Sequence, residues 1–310
     1  MTRKLGAEVG SEAEARHAAG EETLWGESYY MDFVAADAAI GGYIRVGYYP
    51  NLGVAWWTAA IVEPGNPTIM SVSFDAPIAG DSVISASGRN FSVDMEVSEP
   101  LKALTVRASA VGGSFPDPTA IYRGETGEEV KLEMELSWIT DGEPYHYEQT
   151  TRYEVPCVVS GVLRIGDRTI AIRGQGQRDH SWGVRDWWSF GWCWLAARLD
   201  DGARIHAVEA RIPGVDVAFG YVQEPSGSTE IVRSAEVHED LGPEGLPVGG
   251  TAILNGGAIE LTIEPLGYGP LLLVSPDAAT SRFARAMARF TDQNGRSGFG
   301  WIEWNQPQRA

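Results

Sequence analysis

The segment "VKLEMELSWIT" places Val130, Leu132, Met134, Leu136 and Trp138 at every second position, with charged or polar residues between them. Successive side chains of a strand point to opposite faces, so this spacing serves an antiparallel sheet with one dry and one wet face. The same texture runs through "TIMSVSFDAP", "DSVISASG", "FSVDMEVS" and "LKALTVRAS" before it. It continues in "TTRYEVPCVVSGVLRIGDRTIAIRG", with a turn at Gly166-Asp167. "GGYIRVGYYPNLGVAWWTAAIVE" reads as a hairpin around Pro50, Asn51, Leu52 and Gly53. "WCWLAARLDDGARIHAVEARI" reads as another, turning at Asp201-Gly202, and Asn255-Gly256 marks a third turn.

Three segments read differently. "SRFARAMARF" carries Phe283, Ala286, Met287 and Phe290 at helical spacing, which predicts a short helix. "SEAEARHAA" suits either a short helix, with Ser11 as N-cap and Gly20 as stop, or a flexible arm. "PLGYGPLLLVSPDAATS" reads as an irregular excursion. Many short strands with few helices imply an all-β protein of sandwich or barrel type. The 310 residues exceed the usual size of one domain. The expected division is a polar arm over 1–20, a first β domain over 21–173 and a second over 174–310.

The formal net charge of −18 argues against nucleic acid, which needs a basic face, and against adsorption to anionic lipid. Cys157 and Cys193 lack metal or redox spacing, so buried free thiols in a reducing compartment are expected. The sequence shows no apolar leader and no stretch of membrane-spanning length, which predicts a soluble cytoplasmic protein.

The chemistry concentrates in "GQGQRDHSWGVRDWWSFGW", Gly174 to Trp192. If a strand persists through its glycines, Gln175, Gln177 and Asp179 share one face, and Arg178, His180 and Trp182 share the other. Asp179 stands near Trp182, Trp187, Trp188 and Trp192. A carboxyl group in apolar surroundings holds its proton more tightly and can act as a general acid near neutral pH. Trp faces can also stabilise a cation. The bland alternative is an ion pair between Asp179 and Arg173, Arg178 or Arg185, with the tryptophans as core. His180 could be a base, an orienting group or a metal ligand, and the bland alternative is a hydrogen-bonded structural histidine. His206 alternates with Val208 and Ala210, facing an apolar interior, and Tyr145 could donate a hydrogen bond in a pocket. Glu303, in "GFGWIEWNQP", is either the acid that partners Asp179 or a solvent-facing residue of the last strand.

His180, His206, Asp179 and Asp186 have no recognised metal spacing, so no metal is expected. A phosphate loop, a dinucleotide fingerprint and a Gly-x-Ser-x-Gly elbow are all missing, so no cofactor is expected either.

The core Gly-x-Gly-x-x-Asp-His-x-x-Gly, formed by Gly174, Gly176, Asp179, His180 and Gly183, together with the late "GFGWIEWN", resembles the tandem lipocalin-like (calycin) superfamily. That superfamily includes hydroxyneurosporene synthase, the carotenoid 1,2-hydratase, and the nearest likeness is to an uncharacterised bacterial branch. The resemblance implies two lipocalin-like β-barrel units with the Asp-His motif near their junction, and apolar substrates of terpenoid type. It also implies that Asp179 is the proton donor and that His180 orients it or its water. Residues and resemblance together point to a cofactor-independent hydratase, dehydratase, isomerase or cyclase, with catalytic Asp179, His180 and Glu303. Trp182, Trp187, Trp188, Trp192, His206 and Tyr145 would hold the substrate. The alternative is a non-catalytic lipocalin-like carrier of a hydrophobic ligand.

Overall fold

A computed structural model describes residues 10–78, 80 and 84–308. Antiparallel strands dominate, and they divide between two units.

In the first unit the described strands are β1 (Trp25–Ala35), β2 (Gly41–Tyr49), β3 (Val54–Val62), β4 (Thr68–Pro77), β5 (Ser85–Ser87), β6 (Phe91–Glu99), β7 (Ala103–Phe115), β8 (Glu128–Thr140), β9 (Tyr145–His146), β10 (Arg152–Ile165) and β11 (Arg168–Val184). They hydrogen-bond in the order β4-β3-β2-β1-β11-β10-β8-β7-β6-β5, with β9 on β10. Strand β4 also pairs with β7, so eight of these strands close into a ring. Its interior is filled by every second residue of the wall, including Phe33, Trp57, Leu136, Trp138 and Val155. The alternation in "VKLEMELSWIT" is therefore the inward face of β8.

The second unit contains β12 (Gly191–Leu199), β13 (Arg204–Ile212), β14 (Val215–Gln223), β15 (Thr229–Ile231), β16 (Ala235–Leu241), β17 (Pro247–Leu254), β18 (Ile259–Tyr268), β19 (Leu271–Val274), β20 (Thr280–Asp292) and β21 (Ser297–Gln308). Their order is β15-β14-β13-β12-β21-β20-β18-β17-β16, with β19 on β20. The two units share a plan: an antiparallel meander whose first strand pairs with its last. Arg211 of β13 reaches across to β16, with Nη1 2.6 Å from Glu239 Oε1 and Nη2 donating to Val237 O at 2.9 Å. That contact links β16, at one end of the second sheet's path, to β13, the third strand from the other end.

The expected hairpins form. Pro50–Leu52 make a tight turn ended by Gly53 at φ 69°. At the β12–β13 turn Gly202 has φ 91°, and the Asp201 carboxylate accepts the Ala203 N–H at 2.9 Å. Only glycine takes such φ values without steric cost.

Three expectations are corrected. "SRFARAMARF" is part of strand β20, paired along its length with β21 and partly with β18. Both faces of β20 are buried, so apolar residues fall at helical as well as alternate positions and the period does not discriminate. The domain division before Gly174 moves to Arg185, because Gly174–Val184 complete β11 and pair with β1 and β10. Segments 62–68 and 116–126 also belong to the second unit. The N-terminal arm is, over its described part, a single 3-10 turn (Ser11–Glu14) followed by extended chain, with Gly10 rather than Ser11 at the cap. Residues 1–9 of that arm, and Asp81–Val83 of the "DSVISASG" strand, lie outside the described residues. The "PLGYGPLLLV" excursion includes β19. No helix among the described residues is long and apolar enough to cross a membrane.

The glycines of the motif fix the close pairing of β1 with β11. A Cβ on Gly174 would lie closer than 3.0 Å to Val34 O, and one on Gly176 closer than 3.0 Å to Asp32 O. Both obstacles are backbone and cannot swing away. Gly176→Ala should therefore destabilise the protein by about 3 kcal/mol or more, an overpacking cost at its upper range. Urea unfolding of the variant, read by Trp fluorescence, measures it.

Candidate active site

Strand β11 carries the motif without breaking its period. Arg178 pairs with Met31 and Val155, which are interior residues, and His180 pairs with Tyr29 and Tyr153. Arg178, His180 and Trp182 therefore face the barrel interior. Gln177 and Asp179 face the other way, in register with Pro156 and Glu154 of β10. The Asp-His pair is thus split between the two faces of one sheet. Two polar clusters result, and both are buried.

The interior cluster centres on Glu27 of β1. His180 Nε2 lies 2.9 Å from Glu27 Oε1, and its Nδ1 lies 2.7 Å from Ala13 O. Both ring nitrogens face oxygen acceptors, so the arrangement that satisfies them is an imidazolium donating at each end. Glu27 also accepts from His17 Nδ1 at 2.8 Å and from the His17 backbone N–H at 3.0 Å. Burial pushes the Glu27 carboxyl up, but the hydrogen bond and charge of His180, with the bonds from His17, outweigh it and hold the group below its ordinary value. Trp182 stacks on His17 with ring centroids 3.8 Å apart. It belongs to this cluster rather than to a surface around Asp179. His17, Glu27 and His180 are also the residues best placed to hold a metal among those described, since their donor atoms all lie within 4.8 Å of one another. As they stand, hydrogen bonds between them satisfy those atoms.

The opposite face carries three carboxyl groups, Asp32, Glu154 and Asp179. Arg152 bridges two of them, with Nε 2.8 Å from Glu154 Oε1 and Nη2 2.8 Å from Asp179 Oδ2. Tyr147 and Gln177 donate to Glu154 at 3.1 Å each. Asp179 is therefore one half of an ion pair with Arg152, a residue 27 positions away in the sequence. An acid already engaged with a guanidinium is poorly placed to deliver a proton. Asp32 is held differently. It is 2% exposed, its Oδ1 accepts the Gln177 N–H at 2.8 Å, and its Oδ2 is buried without a hydrogen-bond partner. Burial pushes its carboxyl well above the ordinary range against the pull of the Gln177 N–H and the Tyr30 hydroxyl, and the negative charges of Glu154 and Asp179 add to the rise. Arg185, near the same face, is lowered to about 10 by burial and by the charges of Arg152 and Arg45, against the pull of Asp179. Tyr145 pairs with Glu154 across β9 and β10, which puts it on this face as well.

The remaining expected site residues lie in the second unit, on the face of the sheet opposite its core. Glu303 Oε2 is 2.7 Å from Arg285 Nε, and Trp192 Nε1 donates to Glu303 Oε1 at 3.0 Å. Trp187 and Trp192 pack against each other and against Phe283, at 5.5 to 5.7 Å. Glu303 is 7% exposed, so the solvent-facing alternative is excluded. His206 does not point into the barrel core with Ile205 and Ala207. It lies on the other side between Trp194 and Tyr221, and Nδ1 is 2.9 Å from Leu195 O. Trp188 Nε1 donates to Leu273 O at 3.3 Å. The Asp186 carboxylate closes a turn, accepting the Trp188 and Ser189 N–H groups at 3.0 and 3.1 Å.

The two acids occupy equivalent places. Gly298 and Gly300 of β21 approach the backbone of β12 as Gly174 and Gly176 approach β1. Three residues after the second glycine stands Asp179 in one unit and Glu303 in the other. Each is held by an arginine from the neighbouring long strand, Arg152 of β10 or Arg285 of β20. The repeat Gly-x-Gly-x-x-acid was present in the sequence but is only six residues long.

A family profile described as "Domain of unknown function (DUF7064)" matches residues 10–308. The chain belongs to this family. No curated protein sequence matches the chain. Among solved structures, a Nitrosomonas europaea protein provisionally called AttH is similar at TM-score 0.64 and 15% identity, covering 93% of this chain and 94% of that one. Kievitone hydratase from Nectria haematococca is similar at TM-score 0.61 and 12% identity, covering 92% of this chain and 90% of that one. CghA follows at TM-score 0.56 and 8% identity, covering 92% and 88%. These are tandem lipocalin-like proteins, and theirs is the fold of this DUF7064 chain.

The interior cluster gives a pH-dependent prediction. A carboxyl whose folded value is depressed contributes stability above its unfolded value of 4.5 and loses it as pH falls through the folded value. Glu27→Gln should cost about 3–5 kcal/mol at pH 7, because His180 and Arg16 lose their counter-charge. Against wild type, that difference should shrink below about pH 4, as measured by denaturant midpoints across a pH series.

Proposed function

We propose that this protein is a cofactor-independent acid–base enzyme acting on an apolar small molecule, with Asp32 as the proton donor. Hydration or dehydration, isomerisation and cyclisation can each begin with proton delivery to an alkene or a leaving hydroxyl, and a neutral buried carboxylic acid is suited to that step. The observation that carries the reading is the state of Asp32: buried, flanked by two carboxylates, and with one oxygen unpartnered. Burial, together with the negative charges of Glu154 and Asp179 that Arg152 offsets only in part, keeps the proton on Asp32. The general acid expected at Asp179 is thus assigned one strand away, on the same face. Gln177 orients it, and Tyr145 lines the same side.

Two further features support the class. The fold is shared with a kievitone hydratase. The face of the second unit around Glu303 carries Trp187, Trp192 and Phe283, aromatic surface of the kind that holds an apolar body or a developing cation. The partner is accordingly a small apolar substrate, with no nucleic acid or membrane insertion. The Arg152–Asp179 ion pair favours a second reading, a carrier that binds such a molecule without changing it.

Asp32→Asn separates these readings and tests the protonation state. A carboxyl raised above its ordinary 3.8 costs stability as pH rises from about 4 toward the folded value, because the unfolded chain releases the proton first. Asn carries no such cost. The variant's melting temperature relative to wild type should therefore climb as pH increases from about 4 to 8. Turnover of a substrate identified by mass spectrometry of co-purified ligand should fall by roughly a hundred-fold or more, while affinity is retained. A melting difference of the opposite sign would show that Asp32 is ionised. An unaltered ligand recovered from wild type would favour the carrier.

A further inference from the structure

Arg178 is a cation inside the first barrel, 4% exposed, with Met31 and Val155 as cross-strand neighbours. A charge there needs a counter-charge, and the barrel wall does not supply its partner. Glu14 does, from the segment preceding β1. Its Oε1 lies 2.7 Å from Arg178 Nη1 and accepts the Tyr153 hydroxyl at 2.6 Å. The same segment offers Ala13 O to His180 and Glu14 O to the Tyr29 hydroxyl at 3.3 Å.

The fit is incomplete. Arg178 Nε and Nη2 are buried with no hydrogen-bond partner. An arginine binds a carboxylate best through two parallel N–H groups, and Glu14 engages only one nitrogen. Glu14 sits in a single 3-10 turn with no side-chain cap, and the segment is held beyond it by Arg16 and His17 on Glu27. A free carboxylate could turn to use a second guanidinium nitrogen, which Glu14 leaves unused.

We infer that the interior of the first unit contains a carboxylate seat, built by Arg178 and Tyr153, which Glu14 fills in cis and which a small carboxylate with an apolar body fills when residues 11–17 withdraw. One guanidinium matches one negative charge, which favours a carboxylate over a phosphate. Withdrawal also frees the Tyr29 hydroxyl and the His180 Nδ1–H, and the wall beside them, Met31, Val155 and Cys157, is apolar. The seat faces away from Asp32 and Asp179, so it does not depend on the acid–base reading.

Full-length wild type, Glu14→Gln and Arg178→Met test it, with hexanoate as probe and hexan-1-ol as the uncharged control. Hexanoate should raise the melting temperature of Glu14→Gln saturably, and hexanol should not. In wild type, hexanoate should displace the segment and speed tryptic cleavage after Arg16 several-fold, since the Arg16 side chain is only 5% exposed in the closed form. Arg178→Met should abolish both effects. Equal responses to hexanoate and hexanol, or no saturable response in Glu14→Gln and no change in wild-type cleavage, would overturn the seat and leave Glu14 a fixed structural partner. Should Glu14→Gln fail to fold, the wild-type cleavage comparison decides alone.

Discussion

The close pairing of β1 with β11 at Gly174 and Gly176 is the constraint on which the rest of the first unit depends. It brings the first strand of the meander against the last, and so closes the wall. It also sets a register that no side chain can relax, because the atoms in contact are backbone. In a strand the side-chain period is two, so a slip of one residue would exchange the contents of the faces. Arg178 and His180 would then leave the interior, and Asp179 would enter it. The positions of the ionisable groups on β1 and β11 are therefore decided by two glycines that carry no chemistry of their own.

The same device in the second unit explains why "GFGWIEWN" resembles the end of the Asp-His motif. Gly298 and Gly300 do for β21 what Gly174 and Gly176 do for β11, and an acid follows at the same distance. What differs is the surroundings. Asp179 shares its face with two other carboxyl groups. Glu303 sits instead among Trp192, Phe283 and an arginine. Equivalent backbone positions thus give one crowded acidic face and one aromatic face.

Alternation made most of the fold legible, because a strand with one dry face leaves its period in the sequence. It failed at "SRFARAMARF", where both faces of β20 are buried and Arg285 is accommodated by Glu303 rather than by water. The N-terminal segment was ambiguous for a different reason: Glu14 looks like a solvated acid until the arginine that receives it is found 164 residues further on. Among site residues, the sequence pointed to Asp179 on β11, whereas the proton donor we propose, Asp32, stands on the neighbouring strand β1. Asp179 stood out because tryptophans follow it, but Trp182 lies on the opposite face, and Trp187, Trp188 and Trp192 belong to the other unit. Asp32 lies within "YYMDFVAA", where a carboxyl group inside an apolar run is the one local signal of its burial. Its proton affinity depends on Glu154 and Asp179, which reach it only through strand pairing. Arg152 was equally invisible, since nothing local connects it to Asp179.

Charge pairing gives the two faces of β11 different capacities. On the interior face each acid has a cation: Glu14 has Arg178, and Glu27 has His180 with Arg16 nearby. Those pairs bind the segment that precedes β1 to the barrel interior. On the opposite face Arg152 is shared between Glu154 and Asp179, and Asp32 has no cation among its bonded partners. A buried carboxylate without a counter-charge is far more costly than a neutral acid, so the proton stays. On the reading proposed above, Arg152 engages Glu154 and Asp179 but not Asp32, and the proton therefore stays on β1 rather than on the motif strand.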